Sequence, residues 1–234
     1  MTGRRRGFWW MLAGIVIAVA AGASGISAVD GNVTLDANGQ NADVVLQAPV
    51  ATTLLGGVTI TADDSVTMTA DGDVTASGTG GVSVTANAAT TAGDTGDKIQ
   101  MADGAVIDAG AGTILLQVAG ANSGDITLGL LKTTNAGVAA VTITADAGVV
   151  DADAGTGLDV DAPSGRLVID AATGIGSANA LETTVASLDV ENSTSNNIQI
   201  VETDDVSVIK LANSVADDTN AATGAISLTA GGTI

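Results

Sequence analysis

The sequence has no cysteine and no histidine, two prolines, and only three aromatic residues, Phe8, Trp9 and Trp10, all within the first ten positions. Without imidazole or thiol the chain can build neither a Ser-His-Asp or Cys-His nucleophile nor a thiolate or imidazole zinc site. The missing cysteines leave the redox compartment open, since a fold that needs no disulfide staples suits either side of a membrane. From residue 11 onward there is no aromatic ring, which excludes carbohydrate recognition by ring stacking. A compact globular core of this size would normally draw on large aromatic side chains. A thin repetitive core can be filled by Val, Ile, Leu and Ala instead.

Positive charge is also scarce. Seven basic residues face 26 acidic ones, for a net charge of −19, and beyond Arg4, Arg5 and Arg6 only Lys98, Lys132, Arg166 and Lys210 remain. If the first 28 residues are removed, 26 acidic and four basic groups leave −22. Such a surface repels phosphate backbones and anionic lipid, so no nucleic-acid partner is expected. The plain duty of so many aspartates is to keep a repetitive protein solvated.

What is present is apolar content of 46% with 31 glycines, enough to bury a core and too much for a disordered chain. Residues 1–28 run from three arginines through an uncharged stretch to small residues, the order of a secretory signal. Cleavage could follow Ala23 or Ala28. Residues 8–29 carry no charge, and these 22 positions are also long enough to cross a bilayer as an uncleaved anchor with the arginines held inside. Contact with a membrane is expected only through this segment.

From residue 29 to residue 234 one pattern recurs: Gly, Asp or Asn, then apolar, polar, apolar, commonly closing on Ala. It reads GNVTLDA from Gly31, GVTITA from Gly57, GVSVTA from Gly81, GDITLGL from Gly124 and GAISLTA from Gly224. Side chains alternate faces along a strand, so this period of two buries one face of each short segment and wets the other. Strands start about eight residues apart, as at Val58, Val66, Val74 and Val82, with turn formers between them. Sandwiches and barrels rarely repeat one short string, whereas a solenoid does so by construction. The reading is therefore an all-β fold, a parallel β-helix (β-solenoid) of short repeated strands following the N-terminal segment. Three strands per coil give roughly 24 residues a coil, on the order of eight coils, and a rod roughly 40 Å long at about 4.8 Å per layer. The closing Ala fits a corner where the core tapers. Wider spacings at residues 90–96, 133–137 and 214–223 predict loops leaving the rod, the first places to look for a partner.

Two features carry a family resemblance. One is the recurrent Gly-x-apolar-Thr/Ser-apolar-Thr-Ala string over residues 31–234. The other, more specific, is GIGSANALETTVASLDVENSTSNNIQIVETDDVSV over residues 174–208. In both the chain resembles filamentous-haemagglutinin-type adhesins and the large β-strand-repeat proteins of bacterial surfaces. The resemblance implies a parallel β-helix, export to the cell surface or the medium, and a role in adhesion or envelope structure. Partners would be components of a host, a neighbouring cell or the matrix, met through loops, with a ligand-free envelope spacer as the alternative. It carries over no catalytic residue. The chain lacks an Asn-Pro-Asn secretion motif, and it stops at Ile234, where another strand would begin. The expectation is a truncated reading frame or one end of a much longer protein.

Enzymatic and metal chemistry fare less well. Hydrolysis of polysaccharide needs two placed carboxylates, and the pairs Asp63-Asp64, Asp204-Asp205 and Asp217-Asp218 are sequence neighbours, which on a strand would face opposite ways. A calcium reading would use Asp71-Gly72-Asp73 or the DADAG string from Asp151 to Gly155, with Asp71, Asp73, Asp151 and Asp153 as ligands. The EF-hand pattern fails because the twelfth position from Asp151 is Ala162, and no GGxGxD array exists. Surface aspartates at turns explain both strings. No catalytic residue, no cofactor and no metal site is expected.

Overall fold

In the computed structural model the described residues are 17–20, 22, 24–88, 95–118, 120, 123–214 and 224–234. The N-terminal arginines, the aromatic residues and most of the proposed signal lie outside them. So do most of the stretches 90–96 and 214–223, and Asp217-Asp218.

Twenty-one strands and no helix occupy the described residues, and every pairing between these strands is parallel. The chain winds in three-faced coils. The first holds β1 (Ile17–Val19), β2 (Ile26–Ala28) and β3 (Val33–Ala37), and the second holds β4 (Val44–Leu46), β5 (Val50–Thr52) and β6 (Val58–Ala62). The third comprises β7 (Val66–Met68), β8 (Val74–Ala76) and β9 (Val82–Ala86), and the fourth β10 (Ile99–Met101), β11 (Val106–Asp108) and β12 (Ile114–Val118). In the fifth come β13 (Ile126–Leu128), β14 (Leu130–Lys132) and β15 (Val141–Ala145). The sixth opens with β16 (Val149–Asp151) and continues in β17 (Val160–Ala171), a long strand that covers two faces. β18 (Leu181–Asn192) does the same in the seventh, where the first face shrinks to one residue, Ile175, bridging Val149 below and Ile198 above. β19 (Ile198–Glu202) and β20 (Ser207–Asn213) form the eighth, and β21 (Ile226–Ala230) lies on β19.

The eight-residue spacing legible in the sequence is the spacing of the faces. Val58 stacks on Val82, and the strands starting at Val66 and Val74 are the two faces between them. Stacked partners are 22 residues apart from Val44 to Val66 and 33 from Val66 to Ile99. The identical strings of β6 and β15 occupy the same face, with β9 and β12 between them. The parallel β-solenoid of about eight turns is thus the fold the repeat required.

Alternation decides what enters the core. Along β15, Val141, Ile143 and Ala145 are buried while Thr142 and Thr144 face outward. Ile126, Leu128, Ile143, Leu167 and Ile169 are all shielded, and each such aliphatic side chain contributes about 1.5–3 kcal/mol by leaving water. The corner column expected for alanine exists: Ala37 on Ala62, then Ala86, Val118, Ala145 and Ala171. It continues as Asn192 on Asn213, where the Asn192 Nδ2 donates to Asn213 Oδ1 at 2.8 Å. At other corners the backbones touch. A Cβ on Gly78 would come 1.3 Å from the Leu54 carbonyl oxygen of the coil beneath, so only glycine fits there.

One expectation about loops is corrected. Residues 133–135 do not leave the rod: the Thr133 hydroxyl donates to the Gly112 carbonyl at 2.6 Å, and Asn135 Nδ2 donates to the Ala111 carbonyl at 2.9 Å. Threonine and asparagine can satisfy the backbone of the previous coil, which holds the turn down. Only the tip stands free, with Val138 71% exposed.

Candidate functional site

The acidic strings singled out in the sequence fall at corners between strands. Asp63 Oδ2 accepts from the Gly39 N–H at 2.6 Å, and Asp73 Oδ1 accepts from Val106 N–H at 2.9 Å, both tying a turn to a neighbouring coil. Asp204 and Asp205 are exposed, and Asp205 Oδ1 accepts from Thr233 N–H. Among the described residues none of these belongs to a group of three acidic side chains gathered at one point. The basic residues are equally separate: Arg166 pairs with Asp189 at 3.8 Å, Lys210 with Glu191, and Lys98 and Lys132 are exposed. The Lys210 ammonium and the Glu191 carboxylate stabilise each other's charge, raising the one pKa and lowering the other.

The DADAG string is different. Asp151 closes β16, the chain turns through residues 152–158, and Asp159 stands directly before β17. One coil higher, Glu182 lies on β18. Asp159 N–H donates to the Glu182 carbonyl at 2.8 Å, and Glu182 N–H donates back to Asp159 Oδ2 at 2.9 Å. A carboxylate oxygen from each of Asp151, Asp159 and Glu182 lies within 4.8 Å of the others, and all three residues are buried. Asp151 Oδ1 accepts from Asp153 N–H at 2.8 Å, while its Oδ2 accepts from Asn179 Nδ2. Asn179 Nδ2 also approaches the carbonyls of Asp153 and Gly155, at 3.4 and 3.3 Å. Glu182 Oε2 is buried without any hydrogen-bond partner.

Burial pushes Asp159 up to about 8, against the opposing hydrogen bond from Glu182 N–H, and the adjacent Asp151 carboxyl pushes it further the same way. Glu182 is raised for like reasons, first by burial and then by the charges of Asp151 and Asp153. No basic residue is among the charges acting on either group. An open recess bordered by Asp103, Val106, Leu130, Asp151, Asp153 and Leu158 adjoins the cluster on the side of the earlier coils.

Two coils share a second buried carboxylate, Glu202, raised by its burial. Both its oxygens are hydrogen-bonded: Thr183 Oγ1 donates to Oε2 at 2.6 Å and Val185 N–H to Oε1 at 3.0 Å. That group is a structural tie between β18 and β19.

Sequence reasoning singles out Asp151 and Asp153 but passes over Asp159 and Glu182. The signal that finds them is the coil period, because Asp159 and Glu182 are 23 residues apart, one turn of the rod.

Fold and stacking define the described chain as a parallel β-solenoid repeat protein. No family model matches it, and neither a curated protein nor a solved structure does.

Proposed function

We propose that the chain is an exported repeat protein of the cell surface or extracellular space, with a structural and adhesive role and no catalysis, of the filamentous-haemagglutinin-like kind. The observation that carries this reading is the regular stacking of the coils. From the second coil to the fifth the interior is almost wholly aliphatic, and the outward rows of the third face are mainly short hydroxyl and amide side chains, Thr59, Ser83, Leu115 and Thr142 in one row and Thr61, Thr85, Gln117 and Thr144 in the next. Such a stack supplies length and solubility, which is what a spacer or stalk requires. The exposed tip at residues 136–139 is the described place for partner contact, with a host, neighbouring-cell or matrix component as the partner. The N-terminal segment would direct export, as a cleaved signal or as an anchor.

An antibody against the coils, applied to intact and to lysed cells, tests location. Purified protein applied to host cells and matrix tests adhesion. The expected outcome is labelling of intact cells and saturable attachment that weakens when residues 136–139 are replaced by Gly-Ser. Labelling without attachment selects the envelope spacer, and signal confined to lysed cells overturns the proposal.

A further inference from the structure

We propose that Asp151, Asp159 and Glu182 form a binding site for one hard divalent cation, calcium foremost. Three elements deliver three carboxylates to one point: the end of β16, the start of β17 and, from the next coil, β18. An oxygen-only donor set of this charge selects calcium, magnesium or manganese over the softer metals that imidazole and thiolate hold.

The independent sign of a ligand is Glu182. It is 92% buried, since its exposure is 8%; its Oε2 has no hydrogen-bond partner, and one oxygen of the same carboxylate lies within 4.8 Å of an oxygen of each of the other two. A buried carboxylate oxygen left without a donor is costly, and a positive group placed beside it removes that cost. Among the described residues, no basic side chain is among the charges acting on Asp159 or Glu182. The surroundings are already arranged for a cation. Asp153 N–H donates to Asp151 Oδ1 and Asn179 Nδ2 to Asp151 Oδ2, which fixes the Asp151 carboxylate beside the other two. An open recess bordered by Asp103, Asp151 and Asp153 reaches the cluster at Asp151.

Structurally, such an ion would join the sixth coil to the seventh at the corner where the first face is reduced to Ile175. This inference is independent of the surface role, because it concerns the isolated protein.

The test is a calorimetric titration of the chelator-stripped full chain with calcium chloride at ionic strength held constant by sodium chloride. The expected result is one saturable equivalent with a dissociation constant between roughly 10⁻⁶ and 10⁻³ M. Glu182→Gln and Asp159→Asn should each weaken it by at least about ten-fold, since removal of even the outer partners of metal ligands has an effect of that size. Asp71→Asn, in the exposed acidic turn, should leave it unchanged. Absence of a saturable equivalent, or equal binding by all three variants, overturns the site. Hydrogen exchange on the unsubstituted protein decides the matter even if a variant does not fold: calcium should slow the amides of residues 152–158 and 176–183. Slowing only elsewhere, or nowhere, refutes the proposal.

Discussion

The second to fifth coils and the sixth to eighth are built on the same three faces, yet they hide different chemistry. Between Val44 and Ala145 the described interior is almost wholly aliphatic, and its buried polar residues are Thr52, Asn87, Asp97 and Thr133. Between Val149 and Asn213 the buried set includes Asp151, Asp159, Glu182, Thr183, Asn192 and Glu202. The strands differ as well, three to five residues long in the first region and up to twelve in the second. The difference teaches that a solenoid coil can exchange packing for polar ties wherever the next coil provides partners. Asn192 takes the corner position that alanine holds below, and in exchange accepts from Gly174 N–H and donates to Ser195 O, both at 2.8 Å. Glu202 is likewise satisfied by β18. Among the described residues of this second region, only the Asp151–Asp159–Glu182 corner keeps a buried side-chain oxygen without a donor.

The largest effect should come from introducing charge into the aliphatic region. Ile143 lies between Leu116 and Ile169 with no exposure, so Ile143→Asp strands a charge and forfeits burial, a loss on the order of 4 kcal/mol. Coils touch only their neighbours, so hydrogen exchange should show β12, β15 and β17 fraying while β3 and β19 stay protected. Loss of the whole rod in one step would mean that the two regions are one cooperative unit.

In the polar region, Asn192→Ala restores the residue of the lower corners but leaves the Gly174 N–H unpaired, at a cost of about 1–3 kcal/mol in denaturant unfolding. No change in stability would show that the asparagine column does not hold the coils together.

Asp159 sharpens the contrast through pH. Its folded-state value is raised to about 8 from an ordinary 3.8, so between those values the folded chain binds more protons than the unfolded one. Unfolding free energy must then fall as pH rises through that window. In chelating buffer the melting temperature of the unsubstituted protein should drop as pH rises from about 4 to about 8. Asp159→Asn should flatten that slope, and an unchanged slope would place the charge elsewhere. The smallest effect belongs to Thr142→Asp on the wet side of β15, expected within about 0.5 kcal/mol by the same unfolding measurement.

The core of the rod can be read from the chain because period-two alternation is a local property: Val58, Ile60 and Ala62 share a face whatever lies above them. The eight-residue rhythm supplies the three-sided coil for the same reason. Loops are less legible. Residues 133–137 have the spacing of an insertion, and the carbonyls that hold Thr133 and Asn135 down, those of Gly110, Ala111 and Gly112, belong to the preceding coil, 21 to 24 positions earlier.

By itself, then, the amino-acid sequence determined strand type, core face, coil length and the exclusion of imidazole and thiol chemistry, since each follows from composition or from neighbours within a few residues. Tertiary structure alone decided that Asp151, Asp159 and Glu182 meet. Their encounter depends on how a corner in one coil stacks on the next, where a shift of one residue in coil length would carry Glu182 to the opposite face of its strand.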